Sequence, residues 1–150
     1  MLSIKRINEK DIDLCFDLDS KTTSLWSRNQ WVNEFEKEYV KVYGLLLSNE
    51  IIGICVFQII LDEAQINFFV INQRFRKRGF GSYLMSYLIK SCQKQAINKL
   101  LLEVSNKNVI AENFYKKFDF YTVGIRRKYY KDGSDALLKE KDLTKNNFQI

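Results

Sequence analysis

Two glycines and four cationic side chains fall within Asn72-Gln73-Arg74-Phe75-Arg76-Lys77-Arg78-Gly79-Phe80-Gly81-Ser82-Tyr83-Leu84. The run before it, Ile66-Asn67-Phe68-Phe69-Val70-Ile71, is strand-like. After it, Leu84, Met85, Leu88, Ile89 and Cys92 recur at helical spacing. The glycines therefore stand where a strand turns into a helix. The first N–H groups of a helix lack internal acceptors and carry partial positive charge, so a phosphate can be held there. Gly79 and Gly81 remove side chains from that approach. A solvated basic loop with a flexible glycine pair is the other reading. The spacing lacks the Lys-Ser/Thr of a Walker loop and the first glycine of the dinucleotide fingerprint.

Working outward, 150 residues predict one domain over 1–150, with a polar tail from about 144. A 46% hydrophobic and 14% aromatic chain argues against disorder. No apolar run reaches the ~18 residues of a membrane span, and no membrane contact is expected. Cys15, Cys55 and Cys92 are widely spaced and odd in number, which suits a reducing, cytoplasmic compartment. With no histidine, acid–base chemistry must use Glu, Asp, Tyr, Lys, Cys or a terminus, and no metal site is expected. The net charge of +6 fits either nucleic acid or a polyanionic cofactor.

Strands are predicted at 2–7, 40–47, 51–60, 64–71, 99–104, 120–127 and 135–142. Helices are predicted at 11–19, from the Ser27-x-x-Gln30 capping box through Trp31, Phe35 and Tyr39, from the glycine loop to about Gln95, and after Asn108. Three strands joined by short turns make a meander. The apolar strand at 99–104, following a helix, implies a parallel neighbour. The order predicts an α/β class: one mixed sheet of six to seven strands with helices on both faces. The last two strands read as a hairpin through Lys131-Asp132-Gly133-Ser134.

Glu103 ends the 99–104 strand. It reads either as a salt bridge at the sheet rim or as a general base. Tyr115 reads either as part of the Phe114/Phe118 stripe or as a phenol placed to donate a proton. Asn108 is an N-cap whose amide could also reach a cofactor. If 66–71 and 100–104 are parallel neighbours, Glu103, Tyr115 and the glycine loop converge in a crevice of the kind open sheets use for ligands.

Leu61-Asp62-Glu63-Ala64, Arg76-x-x-Gly79-x-Gly81, Leu102-Glu103-Val104, Asn106-x-Asn108, Tyr115, Ile125-Arg126-Arg127-x-Tyr129-Tyr130, Asp132-Gly133 and Asp135-Ala136 together resemble the bacterial RimI enzymes, a branch of the GNAT acyltransferases. The resemblance runs over nearly the whole chain. It implies the GNAT fold and acetyl transfer from acetyl-CoA to the N-terminal alanine of a small-subunit ribosomal protein. It makes Glu103 the proton acceptor and Tyr115 the proton donor. It gives the pantetheine arm to the backbone of Phe69, Val70 and Ile71, and the pyrophosphate to Arg76, Lys77, Arg78, Gly79, Phe80, Gly81 and Ser82. Asn108 would contact the cofactor. Trp26, Asp62, Glu63, Tyr129 and Tyr130 fall on the substrate side. Leu25 stands where the family usually has proline before the tryptophan, and Asp119 where it usually has glycine. The partner expected is the N-terminal peptide of the ribosomal protein, bound by a monomer without nucleic acid. The rivals are an acetyltransferase of a small-molecule amine and a non-catalytic acyl-CoA- or RNA-binding module.

Overall fold

The fold is taken from a computed structural model that describes residues 1–144. The polar tail expected from about 144 therefore lies outside the described residues beyond Thr144. Strands β1 (Leu2–Arg6), β2 (Val40–Leu47), β3 (Glu50–Ile60), β4 (Glu63–Ile71), β5 (Lys99–Ser105), β6 (Tyr121–Arg126) and β7 (Ala136–Asp142) form one sheet in the order β1-β2-β3-β4-β5-β7-β6. The β4–β5 pair is parallel, and β1–β2, β2–β3, β5–β7 and β6–β7 are antiparallel. Helices α1 (Ile12–Lys21), α2 (Arg28–Glu36), α3 (Phe80–Lys94) and α4 (Val109–Lys117) complete the expected order. The chain divides into two compact units, one of residues 1–59 and 67–91, the other of 60–66 and the residues from 92 onward.

In the first unit, alternation along β2 and β3 sends successive side chains to opposite faces. Val42, Ile54 and Val56 join Cys15 and Leu18 of α1 and Trp31 of α2 in one buried cluster, which also takes Phe68 and Val70 of β4. The opposite face carries Tyr43 and Phe57, with ring centres 5.4 Å apart, and Tyr87 of α3 lies 5.6 Å from Tyr43. Helices thus cover both faces. The β2–β3 turn uses Ser48 and Asn49, at φ 49° and 71°. Two consecutive positive φ angles are what a two-residue hairpin of matching twist requires. Ser27 accepts from the Gln30 N–H while Gln30 accepts from the Ser27 N–H, closing the capping box. Tyr39, expected on the α2 stripe, lies outside it. The helix stops at Glu36 because Lys37 is extended, and the Tyr39 carbonyl accepts from Ile59 N–H instead.

In the second unit, β5 lies between β4 and β7. The parallel ladder runs from Glu63↔Lys99 to Ile66↔Leu102. Leu102 pairs with Lys139 and Glu103 with Leu138, so the two neighbours face opposite sides. Buried Lys139 reaches Glu112 of α4 at 3.4 Å and the Thr122 hydroxyl at 2.8 Å, which places α4 on the Leu102 side. Two residues past the end of α4, Asp119 takes φ 65°, a left-handed position that aspartate tolerates. The β6–β7 connection is 127–135, longer than the expected turn, because its residues fold back on one another.

Gly53 in β3 has no room for a side chain. A Cβ there would lie 2.6 Å from Ile71 Cδ1 and 3.2 Å from the Val70 carbonyl oxygen. Gly53→Ala is therefore expected to lower stability by about 1–3 kcal/mol through overpacking. Urea unfolding of the two proteins measures this, and an unchanged midpoint would show that β3 and β4 separate freely.

Candidate active site

At the end of β4 the chain passes through a 3-10 turn, Gln73–Phe75, into Arg76-Lys77-Arg78-Gly79 and then α3. Gly79 sits at φ 81°, and nothing lies within 4 Å of where its Cβ would be. Its carbonyl accepts from Tyr83 N–H at 3.0 Å, so Gly79 caps α3. The N–H groups of Phe80, Gly81 and Ser82 open the helix, where none has an acceptor in the preceding turn. The basic side chains are tethered: Arg76 Nε donates to the Ile71 carbonyl at 3.2 Å, and Arg74 and Arg78 each lie 5.6 Å from the centre of the Phe75 ring. Lys77 takes φ 63° and is exposed. Uncovered helix-start amides among fixed cations fit a polyanionic pyrophosphate. Phe69, Val70 and Ile71 lead straight into this loop as the last residues of β4.

Trp26 belongs to the first unit's core rim. Its ring lies 4.8 Å from Trp31 and 5.1 Å from Phe68. With Gln30, Asn33, Glu34, Lys37 and Asn67 it lines an open polar pocket of about 350 Å³. Asn67 donates to Glu34 on α2 at 3.3 Å, while the next residue, Phe68, packs on Trp31 of the same helix.

What holds the Trp26 loop is Asp19, which the sequence reading passed over. Its fully buried carboxylate accepts from Thr23 Oγ1 (2.9 Å), Leu25 N–H (2.8 Å), Trp26 N–H (2.9 Å) and Trp31 Nε1 (2.9 Å). The loop shape left open by Leu25 in place of proline is fixed by these bonds. A carboxylate on an amphipathic helix reads as solvent-facing; the one available signal was its place on the apolar side with Cys15.

In the second unit Glu103 shows the rim ion pair. Its Oε2 lies 2.9 Å from Arg126 Nε, yet that N–H is not aimed along the contact, and Oε2 is buried without a hydrogen-bond donor among the described residues. The 127–135 loop frames the pair. Asp135 accepts from Lys128 N–H, Asn106 exchanges backbone and side-chain bonds with Asp135, and Ser105 bonds Ser134 across the base. Tyr129 lies beneath the Arg126 guanidinium at 5.7 Å and beside Tyr130 at 5.2 Å. Burial first, then the Glu103 charge, holds the Tyr130 phenol above its ordinary range, so it remains an O–H. Asp132 is held low by the Ser134 hydroxyl and N–H.

Two expected substrate-side residues do not join this group. Asp62 immediately precedes the β4–β5 ladder and Glu63 opens it, opposite Lys99, four positions before Glu103. At about 3.3 Å per residue that is roughly 13 Å along the strand. Asp62 instead accepts from Asn98 through its carboxylate and its carbonyl, both at 2.7 Å. Asn108 performs its default task, accepting from Ala111 N–H. Tyr115 is buried against Phe114 and Phe120, at 5.5 and 5.6 Å. Burial pushes the Cys15 thiol up to about 12, which removes it as a nucleophile.

The sequence model of the family described as Acetyltransferase (GNAT) family matches residues 8–120, and the chain belongs to that family. Its similarity extends to particular members. A Haemophilus ducreyi protein named [Ribosomal protein bS18]-alanine N-acetyltransferase is 30% identical, covering 87% of this chain and 92% of its own length. A Bacillus subtilis protein given the same activity in a provisional name is 30% identical over 91% and 92%. The crystal structure of the ribosomal-protein-S18-alanine N-acetyltransferase from Escherichia coli superposes with a TM-score of 0.91, at 23% identity over 100% and 99% of the two chains.

Asp19→Asn would set an NH₂ group against buried donors that now meet oxygen. We expect a loss of about 1–3 kcal/mol and altered tryptophan fluorescence. Chemical denaturation checks it, and a wild-type midpoint would mean the loop holds itself.

Proposed function

We propose that this chain acetylates the N-terminal alanine of a small-subunit ribosomal protein of the bS18 type, in the cytoplasm. The family spans the boundary between the two units, and we take them as one catalytic domain. Acetyl-CoA supplies the acetyl group as a thioester. Gly79, the helix-start amides and the tethered arginines would hold its phosphates, and the backbone of 69–71 its pantetheine arm.

The observation that carries the chemistry is the Glu103 carboxylate: paired with a positive charge, and with one oxygen, Oε2, that no hydrogen bond satisfies. A carboxylate already satisfied by donors has little capacity for another proton, whereas this one can take the proton of an incoming amine. An α-amine has a pKa of ~7.7–8.0, so modest assistance makes it a nucleophile near neutral pH. Glu103 accepts the proton and Tyr115 donates to the departing sulfur. Tyr129 and Tyr130, ordered beside Glu103, would bracket the peptide's first residues.

Mass spectrometry of an Ala-starting ribosomal peptide incubated with enzyme and acetyl-CoA is expected to show one acetyl group on the α-amine. An N-blocked lysine peptide should remain unmodified, because an ordinary lysine (pKa ~10.4) is protonated. Glu103→Gln should slow the reaction most below the α-amine's own pKa and recover as pH rises through ~8. Equal acetylation of the lysine peptide would overturn the substrate assignment.

Tyr115→Phe keeps the packing ring and removes the O–H. A fall in kcat of about 10- to 1000-fold, with CoA affinity retained, is expected if the phenol protonates the leaving thiolate. An unaltered kcat would leave Tyr115 a core aromatic.

A further inference from the structure

Glu103 and Arg126 meet across a strand that separates them. Glu103 lies opposite Leu138 on β7, and Arg126 opposite Ala136, two residues away on the same face. Arg126 therefore reaches diagonally over β7 to bring Nε 2.9 Å from Oε2. Gly124, opposite Leu138, makes room for the Leu138 side chain on that face: a Cβ there would lie 2.9 Å from Leu138 Cδ1. The guanidinium also rests 5.7 Å from the Tyr129 ring centre. A second, outer ion pair, Arg127 with Asp135 at 3.9 Å, accompanies the closed 127–135 loop.

A guanidinium has five N–H donors and usually binds a carboxylate through two of them. Here it supplies charge at 2.9 Å without a directed hydrogen bond to Oε2. A bidentate pair would tie up the oxygen that chemistry needs. With no cation nearby, the carboxylate would be costly to keep charged in a buried place. The observed arrangement avoids both difficulties.

We infer that Arg126 is a positioning residue for acetyl transfer, holding the Glu103 carboxylate in place and charge-compensated without a hydrogen bond to Oε2. This rests on reading Glu103 as the proton acceptor. Arg126 acts through Glu103 and touches neither the thioester nor the transferred acetyl group. Its side chain is 58% exposed on β6, so its removal is expected to leave the fold intact.

The test is a double-mutant cycle on the full chain: wild type, Arg126→Gln, Glu103→Gln and the double variant, with kcat and both KM values measured on the Ala-starting peptide. Arg126→Gln is expected to lower kcat by about 10- to 100-fold, less than the ~10²–10⁴ of a group that itself transfers the proton. KM for acetyl-CoA should stay within about 2-fold. In the Glu103→Gln background the same change should alter kcat by less than about 3-fold, because its effect is already lost. Arg126→Lys should restore part of the rate, keeping the charge but not the planar group over Tyr129. Two outcomes overturn the inference while Glu103 stands as the base: a wild-type kcat in Arg126→Gln, or an equal fall in both backgrounds. A wild-type rate in Glu103→Gln alone overturns the proton-acceptor reading and this inference with it. If Arg126→Gln fails to fold by thermal unfolding, the Arg126→Lys arm of the cycle decides by the same criterion.

Discussion

Everything functional here follows from one parallel pairing, Glu63 to Ile66 against Lys99 to Leu102. Parallel neighbours cannot be joined by a hairpin; the chain must leave the end of the first strand and return along a crossover of a dozen or more residues. Helix α3 is that crossover, and the turn from β4 into it is where the glycines and the arginines stand. The same direction puts Glu103 at the finishing end of β5. Asp62 and Glu63, at the starting end, are excluded from Glu103's surroundings by the same geometry. Their chemistry resembles that of a substrate-binding pair, but at this end of the strand Asp62 is taken up by Asn98.

Local features were legible in the sequence because their causes are local. The Ser27–Gln30 box, the Asn108 cap and the left-handed Asp119 each depend on a few consecutive residues. Element order, sheet class and the parallel pair also came through, since a glycine-bounded strand followed by an amphipathic run allows few alternatives. Helix α2 was read too long because Tyr39 continues its period; the backbone at Lys37, already committed to entering β2, overrides that pattern.

The site's support was not legible. Asp19 binds residues up to twelve positions away, and Arg126 reaches Glu103 across β7. No spacing rule reports such contacts. Sequence reading posed Glu103 as either a rim salt bridge or a base, as though one excluded the other. The structure contains the ion pair, and that pair leaves Oε2 without a hydrogen bond, so an ion pair and a candidate base are compatible in one residue. The basic loop shows a related economy: Arg74, Arg76 and Arg78 are each held by an aromatic ring or a carbonyl. Side chains ordered in advance lose less entropy when an anion arrives.

Alternation along β5 has one further consequence. Leu102 and Glu103 face opposite sides, and α4 covers the Leu102 side through Glu112 and Lys139. The candidate acid Tyr115 is carried by α4, while the candidate base shares its face with Arg126. The candidate acid and the candidate base are thus set on different elements and different faces, so direct proton exchange between them is prevented. A transfer in which the amine gains a bond while the thiolate departs needs its proton acceptor and proton donor apart, one for each end of the reacting line. Alternation along β5 sets that separation: Leu102 faces the helix that carries Tyr115, and Glu103, one residue on, faces Arg126.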